Sequence, residues 1–311
     1  MRVFVAGASG AIGRPLVPKL LAAGHEVTGT TRSEERAARI RATGARAVVV
    51  DVFDVEAVRA ALLEAAPEVV VNQLTALPER LDFRDEATYA PTNRVRTEGT
   101  RNLIDAALAA GARRLVCQSI AFAYRPGGST VKTEDDPLLE HLPGPFGGGV
   151  RALREMEAMV LGAEGIEGVV LRYGFFYGPG TQYAPDGAQV EDMRRRRMPI
   201  VGKGTGVFSF IHLDDAADAT VAAVERGAPG VYNVTDDEPA ELREWVPVAA
   251  EAAGAPRPLR VAVWLAKLVA GKEAAAFATG LPGASNEKAK RELGWQPAHP
   301  SWRTGFRDAL R

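Results

Sequence analysis

Three regularly spaced glycines mark the part of this chain best equipped for chemistry. Residues 1–13 read MRVFVAGASGAIG. The apolar run Val3-Phe4-Val5 leads straight into Gly7-x-x-Gly10-x-x-Gly13, and Pro15 to Leu21 continues with helix-like spacing. A strand, a glycine turn and a helix in that order build a cradle for a pyrophosphate. The first glycine permits the tight turn, the next lets the backbone approach the phosphates, and the last lets helix and strand pack closely. The N–H groups and positive dipole end of the helix N-terminus face the anion. The loop Gly7-Ala8-Ser9-Gly10-Ala11-Ile12-Gly13 is therefore expected to bind a dinucleotide.

The end of the second apolar run sets which dinucleotide. An acidic residue there would accept from a ribose 2′-hydroxyl and repel a 2′-phosphate, and a basic residue does the reverse. The chain reads Gly29-Thr30-Thr31-Arg32-Ser33, with no acid before Glu34. Arg32, helped by Arg14, favours NADP(H), with NAD the alternative.

The elements that must hold these residues alternate. Strands are expected at Val3–Ala6, Glu26–Thr30, Ala47–Val50, Val69–Asn72, Arg114–Gln118 and Gly168–Arg172, with helices between them at residues 12–23, 33–42, 54–64, 85–110 and 147–163. Such alternation predicts an α/β fold, a doubly wound parallel (Rossmann) sheet covered on both faces. After Arg172 the rhythm changes to Gly/Pro-rich turns and short elements. The reading is a cofactor-binding domain over 1–172 and a small C-terminal substrate-binding lobe over 173–311, not independently folding and with some segments returning to the sheet, that closes on the strand ends where ligands bind in such sheets.

Composition narrows the function classes. The 311 residues carry a formal net charge of −1, which gives no general attraction to nucleic acid or anionic membrane. The single cysteine, Cys117, excludes a disulfide within the chain and fits a reducing, cytoplasmic setting. A strand beginning at Arg2 leaves no room for a signal peptide. The apolar stretch Val261–Leu281 is interrupted by Lys267, Lys272 and Glu273 and reads as amphipathic helix, not a membrane span. The four histidines (His25, His141, His212, His299) are scattered, so no metal site is expected. The run Arg194–Arg197 reads as a solvated helix face, and Asp214 and Asp215 as caps of a helix over Ala216–Glu225.

Taken together, these motifs resemble the extended short-chain dehydrogenase/reductase family, also called the NAD-dependent epimerase/dehydratase family. The likeness rests on the glycine loop, Val50-Asp51-Val52-Phe53-Asp54, Thr92-Asn93 through Leu103, Leu171-Arg172-Tyr173 with Tyr177-Gly178-Pro179-Gly180, Phe210-Ile211-His212-Leu213-Asp214-Asp215 and Leu293-Gly294-Trp295-Gln296-Pro297. It implies that Asp51 and Val52 meet the adenine, with Gln73 and Leu74 on the same cofactor face. It also implies a small-molecule substrate, and pairing of two copies through helices around Thr97–Leu108 and Arg151–Leu161.

The resemblance implies a Ser/Thr, a Tyr and a Lys for catalysis, the last two as Tyr-x-x-x-Lys, a pattern this chain does not contain. Aligning Tyr124 with the tyrosine that closes the fifth-strand segment puts Ile120 at the Ser/Thr position and Ser119 one place earlier. Phe146 stands near the catalytic tyrosine and Arg151 near the lysine. Phenylalanine cannot transfer a proton, and arginine stays charged at neutral pH. The candidate catalytic residues are thus Ser119, Tyr124, Asn93 and Arg151, with Tyr173, Tyr177 and His212 as further substitute acids. Phe146, Phe175, Tyr177, Phe208 and Phe210, with Trp264, suggest an aromatic-lined substrate pocket. The expected function is an NADP(H)-dependent oxidoreductase acting on a small hydroxyl or carbonyl compound through a non-standard centre. The alternatives are a nucleotide-sugar epimerase/dehydratase and a catalytically silent NADP(H) sensor.

Overall fold

The structure is a computed structural model that describes residues 1–78, 80, 85–140 and 144–310. His141 and Pro143 lie outside the described residues.

Seven strands form one parallel sheet: β1 (Arg2–Ala6), β2 (Glu26–Thr31), β3 (Arg46–Val49), β4 (Val69–Asn72), β5 (Arg114–Ile120), β6 (Glu167–Tyr173) and β7 (Gly230–Val234), in the order β7-β6-β5-β4-β1-β2-β3. The chain winds outward from β1 through β2 to β3, then returns across β1 to β4, whose Val69 pairs with Val3. That reversal opens a crevice at the carboxyl ends of β1 and β4. Successive residues of the central strands are apolar in both directions. Val3, Val5, Val69 and Val71 enter one core, while Phe4, Ala6 and Val70 enter the other. Helices must therefore cover both faces.

The first face is covered by α1 (Gly13–Ala22), through Leu16, Val17 and Leu20, with α2 (Glu34–Arg41) beside it. The second is covered by α3 (Val55–Ala65), α4 (Thr100–Ala109) and α5 (Gly144–Gly162), through Leu62, Leu103, Leu153 and Val160. The predicted helix over 85–110 is broken into parts. Ala90–Arg94 is α-helical, Val95–Gly99 is a π-helical turn, and only then does α4 begin. The extra residue in that turn re-aims the side chains before it, a frequent device near functional sites.

The chain beyond Arg172 does not form a separate block. Strand β7 adds to β6, and α6 (Leu213–Glu225) packs on the first face beside α1. The remainder gathers around Trp245, Phe210, Trp302 and Phe306. Helix α6 starts earlier than the sequence suggested. His212 caps it by accepting the Asp214 N–H, so Asp214 and Asp215 sit in its first turn, and Asp215 instead accepts from the N–H groups of Ala298 and His299. The arginine run ends the helix Ala188–Arg194: Arg194 donates to the carbonyls of Pro185 and Ala253, and Arg195 pairs with Glu191. No described helix is long and apolar enough to cross a membrane.

Candidate active site

The glycine loop has the geometry of a phosphate cradle. Gly7 adopts φ +87°, and a Cβ there would lie 2.8 Å from the Gln73 carbonyl oxygen. A Cβ at Gly13 would overlap the backbone of Gly7 and Ala8. Both positions therefore require glycine. Gly10 donates its N–H to the Gly7 carbonyl at 3.0 Å, closing the turn ahead of α1. Ala8 and Ile12 are buried beneath the loop.

A cleft runs from this loop across the strand ends. Gly7, Ser9, Gly10, Arg32, Asp51, Val52, Gln73 and Leu74 line it. Asp51 turns its own loop by accepting the Phe53 N–H at 3.0 Å, and the Val52 carbonyl is held by Asn102 at 2.9 Å. The Gln73 amide donates to Tyr173 at 3.2 Å, while its buried Oε1 has no partner among the described residues. The cleft also takes in Arg36, one helical turn after Arg32, which the sequence reading missed. Its signal was the spacing: Ser33 caps α2 by accepting the Arg36 N–H, so both arginines emerge at the same helix end. The nearby acids Glu34 and Glu35 are tied to Arg41 and Arg39. Arg32 and Arg36 form no ion pair among the described residues and stay exposed on the cleft. A glycine cradle, a buried unpartnered amide oxygen and two exposed guanidiniums together fit a dinucleotide with its phosphates.

Ser119 and Tyr124, expected to face a substrate, are instead locked into a buried network. Ser119 donates to Glu157 at 2.5 Å, and Arg172 holds Glu157 through two hydrogen bonds of 2.9 and 2.5 Å. Arg172 also donates to the Tyr124 oxygen at 2.9 Å, and Tyr124 donates to Asn233 at 2.7 Å. Burial pushes the Tyr124 hydroxyl up to about 12, against the opposing pull of Arg172. Burial opposes the charge on Arg172, but the hydrogen bonds and charge of Glu157 outweigh it and hold the guanidinium protonated. With its only proton committed and no exposed surface, Tyr124 is poorly placed to serve as an acid.

The other substitute acids are buried as well, although the Tyr177 hydroxyl has no hydrogen-bond partner among the described residues. Tyr173 is pushed up to about 12 by burial and is engaged by Thr220 and Gln73. Tyr177 is raised by burial and then by Asp236 and Asp215. It does not join the substrate wall expected of it, because its ring lies in the lobe core against Phe306, 5.1 Å away, and His212. His212 is lowered by burial and by His299, on which its ring rests at 4.0 Å.

Asn93 and Arg151 do come together, across the glycine-rich first turns of α5. A Cβ at Gly148 would meet Arg151 at 3.7 Å and Asn93 at 3.9 Å. The buried Asn93 Oδ1 has no hydrogen-bond partner among the described residues. Beneath them Arg96 reaches the Gly149 carbonyl at 3.5 Å, and burial lowers its pKa to about 10.

The aromatic residues form a box. Phe122 stacks on Phe175 with ring centroids 4.1 Å apart, Phe175 meets Phe208 at 5.0 Å, and Phe146 meets Phe277 edge-on at 5.0 Å. Phe122, Phe175 and Phe277 keep partial exposure, whereas Phe146 and Phe208 are buried behind them. Phe122 and Phe277 were not expected from sequence. Trp264 is not part of the box: it is 69% exposed on the helix Val263–Val269.

This fold and cleft define an α/β enzyme of the nicotinamide-dinucleotide class. The chain belongs to the NAD dependent epimerase/dehydratase family, whose model matches residues 3–235. Among its relatives is a Streptomyces protein named 3-diazoavenalumate denitrifying reductase, 49% identical over 307 residues, covering 98% of this chain and 99% of that one. A ketoreductase of Stigmatella aurantiaca, named for a farnesylated dihydroquinoline oxide, is 30% identical over 259 residues, 82% of this chain and 74% of its own. Similar solved structures include UDP-glucose 4-epimerases of Thermotoga maritima, with UDP-glucose (TM-score 0.78, 21% identity, 100% and 97% coverage), and of Thermus thermophilus, with NAD (TM-score 0.72, 24% identity, 100% and 98% coverage).

Proposed function

We propose that this protein is an NADPH-dependent reductase acting on an aromatic substrate that carries a diazo group, which leaves as dinitrogen. The observation that carries this reading is Phe146. The residue nearest the family's tyrosine acid cannot move a proton, and its ring belongs to an apolar box. A ketone needs a proton as well as a hydride, because the alkoxide formed is strongly basic. A cationic aryldiazonium needs the hydride alone. The hydride's electron pair forms the new bond to the substrate, the carbon–nitrogen bond breaks, and N2 departs from the reduced arene.

NADPH held by the glycine loop, Arg32 and Arg36 would supply that hydride and be oxidised to NADP+. The chain's own residues hold and shield the reactants. Phe122, Phe175 and Phe277 offer flat faces to a planar ring and keep water from it. The Streptomyces relative, named as a diazo-compound denitrifying reductase, supports the same chemistry. The test is a single incubation of purified protein with NADPH and an aryldiazonium probe. Loss of NADPH absorbance should match formation of the diazo-free arene and N2. Reduction of ketones with no turnover of the diazo probe would sink the proposal, and inertness towards both with tight NADPH binding would leave a cofactor sensor.

The preference for NADPH over NADH rests on Arg32 and Arg36. Replacing both with alanine is expected to weaken NADPH binding by roughly 100-fold, about tenfold per lost charge-assisted contact, and to leave NADH binding unchanged. Calorimetric titration with the two cofactors checks it, and equal losses for both would remove the 2′-phosphate from the account.

A further inference from the structure

Glu273 lies on the helix Lys272–Gly280, one turn before Phe277 and on the same face. It comes from a distant part of the chain, yet its carboxylate reaches the start of α5 and accepts the N–H of Phe146. Gly144, at φ +82°, makes room for it, since a Cβ there would overlap the carboxylate. The second oxygen, Oε2, is buried without a hydrogen-bond partner among the described residues. Burial raises its pKa from the ordinary carboxylate value, offset in part by the Phe146 N–H. A buried acceptor left without a donor is costly unless a ligand completes it.

This oxygen belongs to a residue at the junction of Phe146 and Phe277, the rim of the aromatic box. Aromatic faces and a carboxylate are complementary to the same kind of group, a positively charged one on a flat apolar body. We propose that Glu273 and the box of Phe122, Phe146, Phe175 and Phe277 form a site for a cationic aromatic head group, and that Glu273 selects the charged nitrogen electrophile. This rests on the diazo-reductase reading for the identity of the substrate, but the binding site can be tested without turnover.

The experiment compares wild type, Glu273→Gln and Glu273→Asp, each loaded with NADPH. Each is titrated by calorimetry with phenyltrimethylammonium, which cannot be reduced here, and with its uncharged isostere tert-butylbenzene. Glutamine keeps an acceptor for the Phe146 N–H and removes only the charge, so thermal stability and NADPH affinity should hold. Cation binding should weaken at least tenfold in Glu273→Gln and recover in part in Glu273→Asp, with the neutral probe unaffected. Equal weakening of both probes, or cation binding unchanged by Glu273→Gln, overturns the proposal. Charge-selective binding in a protein that reduces no aryl diazo compound supports the site and overturns only the reaction assigned above.

Discussion

An alanine at Gly13 should cost this protein its cofactor. The added methyl group would overlap the Gly7 carbonyl and the Ala8 backbone, neither of which can rotate away as a side chain could. The loop must open, or α1 must back away from β1, and either movement takes the N–H groups off the pyrophosphate. An affinity loss of 100-fold or more is expected, about 2.7 kcal/mol. The melting temperature should fall as well, because Leu16 and Leu20 of α1 sit fully buried on the sheet. Gly10→Ala separates the two effects. Its methyl group would stand 3.2 Å from the Gly7 oxygen, tight but tolerable, so the fold should survive while the phosphate approach is blocked. NADPH fluorescence titrations beside thermal melts distinguish the two variants. Normal NADPH binding by Gly13→Ala would remove this loop from the cofactor site.

Removing the carboxylate of Glu157 is expected to have the largest effect on stability. Glu157 and Arg172 are both nearly excluded from solvent, with side-chain exposures of 6% and 7%. Glu157→Ala leaves a guanidinium buried with no countercharge and Ser119 without its acceptor. Breaking such a pair from one side costs about 3–5 kcal/mol, more than the pair itself contributes. For a chain of this size that corresponds to a fall in melting temperature of roughly 5–8 °C. Replacing both members with apolar residues of similar volume should recover much of the loss, since the desolvation cost disappears with the charges. A Glu157→Ala variant that melts within a degree or two of wild type would show that the pair is not buried as described. The same substitution also tests Ser119 and Tyr124. If their role is to hold this network, Ser119→Ala and Tyr124→Phe should lower stability more than turnover, the reverse of what catalytic residues would do.

Much of the fold around the cleft was legible in the sequence. The β1–glycine–α1 run, the arginine after β2 and the Asp51 turn each depend on residues adjacent in the chain, so local spacing carries the information. The substrate half was less legible. The sequence reading named Phe146, Phe175 and Phe208, but Phe122 and Phe277 look like ordinary core residues until β5, α5 and the Lys272–Gly280 helix are brought together. Tyr177, two residues beyond Phe175, looked equivalent to it, yet turns into the lobe core.

Ser119 and Tyr124 show why candidate catalysts are hard to read from sequence. Their chemistry depends on whether a proton is free to move, and Glu157, Arg172 and Asn233 take up their hydrogen-bonding capacity from other elements. By itself, then, the sequence determined that a dinucleotide cradle opens a doubly wound sheet and that Tyr-x-x-x-Lys is absent. Both are properties of short contiguous patterns. Only the tertiary structure decided that the residues nominated in place of the missing tyrosine are buried. It also placed a carboxylate 127 positions beyond Phe146 at that residue's own backbone amide, because packing alone sets which distant side chains become neighbours.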